Sequence, residues 1–257
     1  MLVTFDSNVW RAAADPARFP NNPEHAALLK INAALKSGKV FGVLCETVFT
    51  LEGIAREDRK SFLASYRPKV KISEEDLPNG TIKLEFSLGS ETSAHPGNNP
   101  YLSSHLADAL AVGFKLMRCP RVAGVQNSDL KVEWFQPASH DYANRFGEVV
   151  RRLESKGAGV ALIKAIGNKY ASPTEPWFAG LANAPTNEDA AIAKAVAEWA
   201  DADSVAAHVA NGNAYFCTND TAVAAGVAST FSPANRQWLE TDHGVEFVTP
   251  TELASHI

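Results

Sequence analysis

The sequence predicts an α/β protein with a central, mostly parallel sheet, because short apolar segments with strand character alternate with segments of helical spacing. Residues 2–5 form an apolar, β-branched run, and an alanine-rich helix follows it. Residues 39–43 predict a second strand, with a helix over 44–56. Near the end of the chain, residues 214–217 and 245–248 predict two further strands, the last running into a terminal helix. Strands that alternate with helices are typical of a parallel sheet.

The composition is that of an ordinary globular protein, with 257 residues of which 46% are hydrophobic and 21% charged. A net charge of -5 argues against nucleic-acid binding through the field of the whole surface, but it leaves a local basic groove open. No apolar run reaches the ~18 residues of a membrane span, and the N-terminus lacks the features of a signal peptide. We therefore expect a cytoplasmic protein with no membrane contact.

The three cysteines, Cys45, Cys119 and Cys217, are an odd number and show neither Cys-x-x-Cys nor Cys/His spacing. Each lies in an apolar stretch of sequence. This pattern predicts buried thiols in a reducing compartment, and it predicts neither a disulfide framework nor a zinc site.

Acidic residues follow the predicted strands at positions where α/β sheets bind ligands. Asp6 comes directly after the first strand, Glu46 lies in the first turn of the next helix, and Asp220 follows the strand over 214–217. Because ligands bind at the carboxyl ends of parallel strands, these side chains are expected at the mouth of a site. Asp203 is predicted to open a helix, as Glu46 does.

Simpler explanations exist for the first two acids. Ser7 and Asn8 are predicted N-caps of the first helix, and Asp6 could belong to that cap alone. The helix dipole by itself would stabilise Glu46 in a first turn. Glu52 lies six residues further along the same predicted helix, rotated away from Glu46, and is predicted to be a surface acid.

The middle of the chain, residues 67–185, is predicted to be an insertion into a single domain that spans 1–257. Its core would consist of residues 1–66 and 186–257. Apolar and polar residues alternate on both sides of Pro78-Asn79-Gly80, which predicts a β-hairpin. A helix is predicted over 102–117.

Several short motifs, taken in order, resemble the PIN-domain family of metal-dependent ribonucleases, which includes many toxin nucleases. The matching features are Phe5-Asp6-Ser7-Asn8-Val9, Glu46 after the second strand, Ala202-Asp203 before an alanine-rich helix and Gly212, Thr218-Asn219-Asp220, and the last strand before Thr249-Pro250. The resemblance covers the predicted core, and the long middle region departs from it.

The resemblance implies a PIN-like three-layer α/β/α sandwich with an acidic pocket. In that pocket Asp6, Glu46, Asp203 and Asp220 would hold Mg²⁺ or Mn²⁺, and Asn8, Thr218 and Asn219 would position water or phosphate oxygens. Carboxylates that lie close together repel one another, so a hard divalent cation is a natural occupant. Asp189 and Asp201 compete for the place of Asp203. Asp201 points about 200° away from Asp203 on a shared helix, so the two cannot both face one ion.

The activity implied is metal-dependent endoribonuclease cleavage of RNA, with an antitoxin-like protein or a second copy of the chain as further expected partners. The main alternative is a catalytically inactive PIN-like module that binds RNA or protein. A haloacid-dehalogenase-like phosphatase is disfavoured, since its nucleophilic Asp is normally followed two residues later by a second Asp. Asn8 occupies that position here.

Overall fold

A computed structural model describes residues 1–66, 68–78, 80–90, 95–97, 100–121, 125, 127–220, 226 and 228–257. The side chains of residues 68–71 and 85–90 are not described. Within these ranges the chain is a mixed α/β protein. The strands are β1 (Leu2–Phe5), β2 (Phe41–Cys45), β3 (Pro68–Asp76), β4 (Ile82–Ser90), β5 (Lys115–Met117), β6 (Tyr215–Cys217) and β7 (Phe247–Val248).

Helices separate most of the strands and are numbered in chain order. They are α1 (Trp10–Ala14), α2 (His25–Lys36), α3 (Thr47–Thr50), α4 (Arg56–Ser65), α5 (Pro100–Ala111), α6 (Tyr142–Ser155), α7 (Val160–Tyr170), α8 (Trp177–Asn183), α9 (Asp189–Asn211), α10 (Pro233–His243) and α11 (Pro250–Ser255). No helix in the described part of the chain combines the length and the apolar character that crossing a membrane requires.

The central sheet has five strands in the order β5-β2-β1-β6-β7, and each neighbouring pair is parallel. The central strand β1 pairs with β2 through Thr4 and Val43, and with β6 through Phe5 and Cys217. The prediction of a central parallel sheet is therefore confirmed. The segments that follow β1, β2 and β6 leave the sheet at the same edge.

Helices cover both faces of this sheet because side chains alternate along each strand. Val3, Phe5 and Leu44 pack on one side with residues of α1, α2, α5 and α11. Val43 and Phe216 pack on the other side with residues of α6 and α9. The arrangement is compatible with a three-layer α/β/α sandwich.

The middle region contributes to the sheet as well as to added structure. The predicted hairpin is present as the antiparallel pair β3 and β4, with Asp76 opposite Ile82, although Asn79 of its predicted turn lies outside the described residues. The helix predicted over 102–117 ends at Ala111. Gly113, at φ +94°, reverses the chain, and residues 115–117 become the edge strand β5, which pairs with β2.

Two further helix predictions were wrong in ways that matter for the site. The single helix predicted over 44–56 is instead the end of β2, the short helix α3 and a turn before α4. The helix that Asp203 was predicted to open is the middle of α9, which runs unbroken to a cap at Gly212, with φ +66°.

Candidate functional site

Asp6 lies at the carboxyl edge of the sheet, where β1 ends beside β6. Its backbone N–H donates to the carbonyl of Cys217 at 2.9 Å, which extends the pairing of the two strands by one residue. Its own carbonyl accepts from the N–H groups of Val9 and Trp10, at 3.0 and 3.2 Å. The chain therefore turns directly from strand into helix, and the Asp6 side chain is left at the sheet edge.

The carboxylate of Asp6 is buried, 4% exposed, and three groups donate hydrogen bonds to it. The Ser7 N–H reaches Oδ1 at 2.7 Å, while the Thr218 hydroxyl and the Asn8 amide reach Oδ2 at 2.6 and 3.0 Å. Ser7 and Asn8 were predicted to cap α1, but the helix begins after Val9 with no side-chain cap. Their polar atoms instead form hydrogen bonds with Asp6, Glu52 and Asn219.

Asn8 and Thr218 also connect Asp6 to the segment after β6. The Thr218 hydroxyl oxygen accepts from the N–H of Asp220 at 3.0 Å, and the Asn8 side-chain oxygen accepts from the N–H of Asn219 at 3.2 Å. Asp220 is thereby held near Asp6. Burial raises the pKa of Asp6, and the charge of Asp220 raises it further, while the hydrogen bonds from Thr218, Ser7 and Asn8 oppose the rise.

Glu52 belongs to this site, contrary to its predicted role as a surface acid. The turn after α3 folds back, and the N–H of Glu52 donates to the carbonyl of Thr47 at 3.0 Å. Its side chain is partly buried and accepts a long hydrogen bond, 3.4 Å, from the Ser7 hydroxyl. Burial and then the charge of Asp6 raise the pKa of Glu52 to about 7.

Asp201 completes the group from helix α9. Burial raises its pKa well above the ordinary value, and the charges of Asp6, Glu52, Glu198 and Asp220 add to the effect. We call Asp6, Glu52, Asp201 and Asp220 the acidic cluster. Its members come from four separate segments of the chain, and charges within the group help to raise the pKa values of Asp6, Glu52 and Asp201.

The other two predicted acids, Glu46 and Asp203, are not in the acidic cluster. Asp203 is buried on the opposite side of α9 from Asp201, as the 200° rotation between them requires. It forms a two-oxygen ion pair with Arg121, whose Nε lies 2.7 Å from both carboxylate oxygens, and it accepts from the Trp199 indole at 3.1 Å. The ion pair explains why Asp203 faces away from Asp6.

Glu46 lies in the same neighbourhood as Asp203. Its carboxylate accepts from the N–H of Cys119 and lies 3.5 Å from the guanidinium of Arg118. Burial raises the pKa of Glu46, and the charge of Asp203 contributes to the rise. We call Glu46, Arg118, Arg121 and Asp203 the arginine cluster. Two cations balance its two acids.

A cavity of about 130 Å³ lies at the arginine cluster and is lined by all four of its members, together with Thr47, Cys119 and Trp199 among others. The Arg118 guanidinium stacks over the Phe135 ring at 3.5 Å. Asp189, the other competitor for the place of Asp203, pairs with Lys60 at 3.1 Å on an exposed surface.

The acidic cluster fits a divalent cation in donor chemistry and charge. Its donors are carboxylate oxygens, which Mg²⁺ and Mn²⁺ prefer, and a cation would offset the burial and the mutual repulsion that together raise the pKa values of Asp6, Glu52 and Asp201. The side chains do not form a closed coordination sphere. Over the described residues, no three His, Cys, Asp or Glu side chains are arranged to hold a metal ion.

Comparison of the chain with protein-family models, with curated proteins and with solved structures finds no match.

Proposed function

We propose that the protein is a metal-dependent endoribonuclease of the PIN type, with its active site at the acidic cluster. The observation that carries this proposal is the electrostatic interaction among Asp6, Glu52, Asp201 and Asp220 near the carboxyl edge of a parallel sheet, with raised pKa values at three of them. Four carboxylates held together in this way cost stability. Proteins retain such groups at functional sites.

The residues that would hold Mg²⁺ or Mn²⁺ are the four members of the acidic cluster, which replace the set Asp6, Glu46, Asp203 and Asp220 predicted from the sequence. A divalent ion supplies Lewis acidity, which makes water a nucleophile at neutral pH and stabilises charge on a phosphodiester. The arginine cluster is less suited to a cation, because Arg118 and Arg121 already neutralise its acids.

The predicted positioning residues act on Asp6. Thr218 and Asn8 donate to the same oxygen of its carboxylate, and Ser7 donates to the other oxygen, so the orientation of the side chain is restricted before any ligand binds. Asn219 contributes its backbone N–H to Asn8, and its side chain is exposed at the same edge. We assign Thr218 and Asn8 the role of orienting Asp6.

A second candidate is a PIN-like module that binds RNA or protein without cleaving it. The specific observation in its favour is the open arrangement of the carboxylates, in which no three described acids are placed to hold a metal ion. This candidate predicts a folded protein that binds its partner equally well with and without divalent cations. Two further predictions from the sequence stay predictions. They are a toxin role with an antitoxin protein as partner, and self-association.

The direct test is a cleavage assay on a mixed RNA pool with Mg²⁺, Mn²⁺ or EDTA. The nuclease proposal predicts cleavage by the wild type with either metal, none in EDTA, and loss of cleavage in Asp6→Asn and Asp220→Asn. Equal cleavage by the wild type and both variants would exclude the acidic cluster as the active site. RNA binding without turnover in any metal would favour the non-catalytic module.

A further inference from the structure

Two cysteine side chains meet at the ends of neighbouring strands. Cys45 is the last residue of β2, and Cys119 follows two residues after the end of β5, which pairs with β2 in parallel. Their sulfur atoms are 3.1 Å apart and both thiols are free. A disulfide bond is about 2.0 Å long, so a movement of about 1 Å at the two sulfurs would join them.

The backbone on both sides of the cysteine pair is held in place. The N–H of Glu46 donates to the carbonyl of Met117 at 3.0 Å, which continues the strand pairing to the residue next to Cys45. The N–H of Cys119 in turn donates to the Glu46 carboxylate. The two sulfurs are thus neighbours because of the sheet register.

The two thiols differ in access. Cys45 is buried, whereas Cys119 is half-buried and lines the cavity at the arginine cluster. A small oxidant could therefore reach Cys119 through the cavity, with Cys45 behind it. Burial raises the pKa of the Cys119 thiol, so its reaction with an oxidant is expected to be slow. Cys217, the third thiol, is buried in β6 and packs on the opposite face of the sheet from Cys45. It provides an internal control within the same chain.

We propose that Cys45 and Cys119 are a redox-sensitive pair that peroxide converts to a disulfide. The Cys119 sulfur attacks one oxygen of hydrogen peroxide and the O–O bond breaks. The thiol proton passes to the leaving hydroxide, so that Cys119 sulfenic acid and one water form. The Cys45 sulfur then attacks the Cys119 sulfur, the S–O bond breaks, and the hydroxyl group leaves as a second water with a thiol proton. Two thiols lose two electrons to one peroxide.

The bond would covalently join β2 to the segment that carries Arg118 and Arg121. This segment forms one wall of the cavity, and Arg121 in it neutralises the buried Asp203. Oxidation would restrict the movement of this cavity wall relative to the sheet, and it would close a long loop of chain between residues 45 and 119. In the chain-entropy model a disulfide restricts the unfolded chain more as the closed loop becomes longer. The proposal is independent of the nuclease assignment.

The test is thiol counting on the full-length protein after exposure to hydrogen peroxide. The protein is then unfolded, labelled with N-ethylmaleimide and weighed by mass spectrometry. The reduced wild type should carry three labels and the oxidised wild type one, on Cys217, with residues 45 and 119 recovered in one linked peptide. The melting temperature should rise by roughly 5–10 °C on oxidation and return with dithiothreitol.

Two variants separate this pair from other thiol chemistry. Cys217→Ser should lose both remaining labels on oxidation, whereas Cys119→Ser should keep both of its labels. Any of four results would overturn the proposal. They are three labels on the oxidised wild type, a linked peptide that contains Cys217, a disulfide between two molecules, and oxidation of Cys119 to sulfinic acid without a disulfide.

Discussion

Replacing Glu52 with glutamine removes one charge from the acidic cluster and should stabilise the metal-free protein at neutral and alkaline pH. The pKa of Glu52 rises from 4.5 to about 7 on folding, through burial and the charge of Asp6. At about 1.4 kcal/mol for each pKa unit, this corresponds to about 3 kcal/mol of lost folding free energy once both states are ionised. Glutamine keeps the shape of the side chain and carries no charge.

The sign of the pH dependence follows from the raised pKa. Below about pH 4.5 Glu52 is protonated in both states and has no effect on stability. Between about pH 4.5 and 7 the unfolded chain releases the proton and the folded chain keeps it, so the wild type loses stability as the pH rises. Above about pH 7 the full cost is present. The advantage of Glu52→Gln over the wild type should therefore grow across this window.

The assay is urea unfolding of the wild type and Glu52→Gln in EDTA at pH 5 and pH 8. Between these pH values the difference in unfolding free energy should move by about 2–3 kcal/mol in favour of the variant, since the unfolded chain is already mostly ionised at Glu52 at pH 5. Glu240→Gln, at an exposed position on α10, is the matched control and should show no such movement. Parallel pH profiles for the wild type and Glu52→Gln would refute the placement of Glu52 beside Asp6.

Three other outcomes follow from the site. Mg²⁺ or Mn²⁺ at a hundred times its dissociation constant should raise the unfolding free energy of the wild type by about 2.7 kcal/mol but leave that of Asp6→Asn unchanged. The measurement is thermal unfolding with and without the metal, and an equal response of both proteins would contradict a metal site at Asp6. Thr218→Val should lower the free energy of unfolding, measured in urea, by about 1–3 kcal/mol because Asp6 loses its shortest hydrogen bond. Thr218→Ser keeps a hydroxyl group and should retain most of that stability. Equal losses in the two variants would argue against a stabilising hydrogen bond from the Thr218 hydroxyl. Arg121→Met should cost about 3–5 kcal/mol because Asp203 stays buried without its cation, and a neutral result by urea unfolding would exclude that ion pair as a stabilising contact.

Much of the central sheet could be predicted from local patterns. The short apolar runs near residues 2–5, 41–45, 215–217 and 247–248 are β-strands with helices between them. The edge strand β5 was missed because Leu116 and Met117 continue the helical spacing of α5. Gly113 was the available signal, since glycine is favoured where a chain turns through a positive φ.

Where strand ends decide the geometry, the structure brings predicted residues near one another. Asp6 and Asp220 come together because β1 and β6 are parallel neighbours, and Thr218 and Asn8 lie between them. Glu52 was misplaced because one continuous helix was assumed after β2. The actual helix ends at Thr50, so rotation along a helix does not describe where the Glu52 side chain lies.

The choice between Asp201 and Asp203 could not be made from local sequence. Helical geometry correctly required the two to face different ways, but both lie in the same alanine-rich stretch. Asp203 is turned away from the acidic cluster by Arg121, which is 82 positions distant in the sequence. Contacts of that kind depend on the tertiary fold, and the spacing of residues within one helix cannot predict them.

The proposed active site includes Glu52 and excludes Glu46, and this difference can be measured directly. The measurement is the single-turnover rate of RNA cleavage with saturating Mn²⁺ for Glu52→Gln and Glu46→Gln, two identical substitutions six positions apart. We expect Glu52→Gln to lose about 10²-fold or more of the rate, as removal of one stabilising group at an active site typically does, and Glu46→Gln to stay close to the wild type. A full rate in Glu52→Gln together with a loss in Glu46→Gln would contradict the assignment.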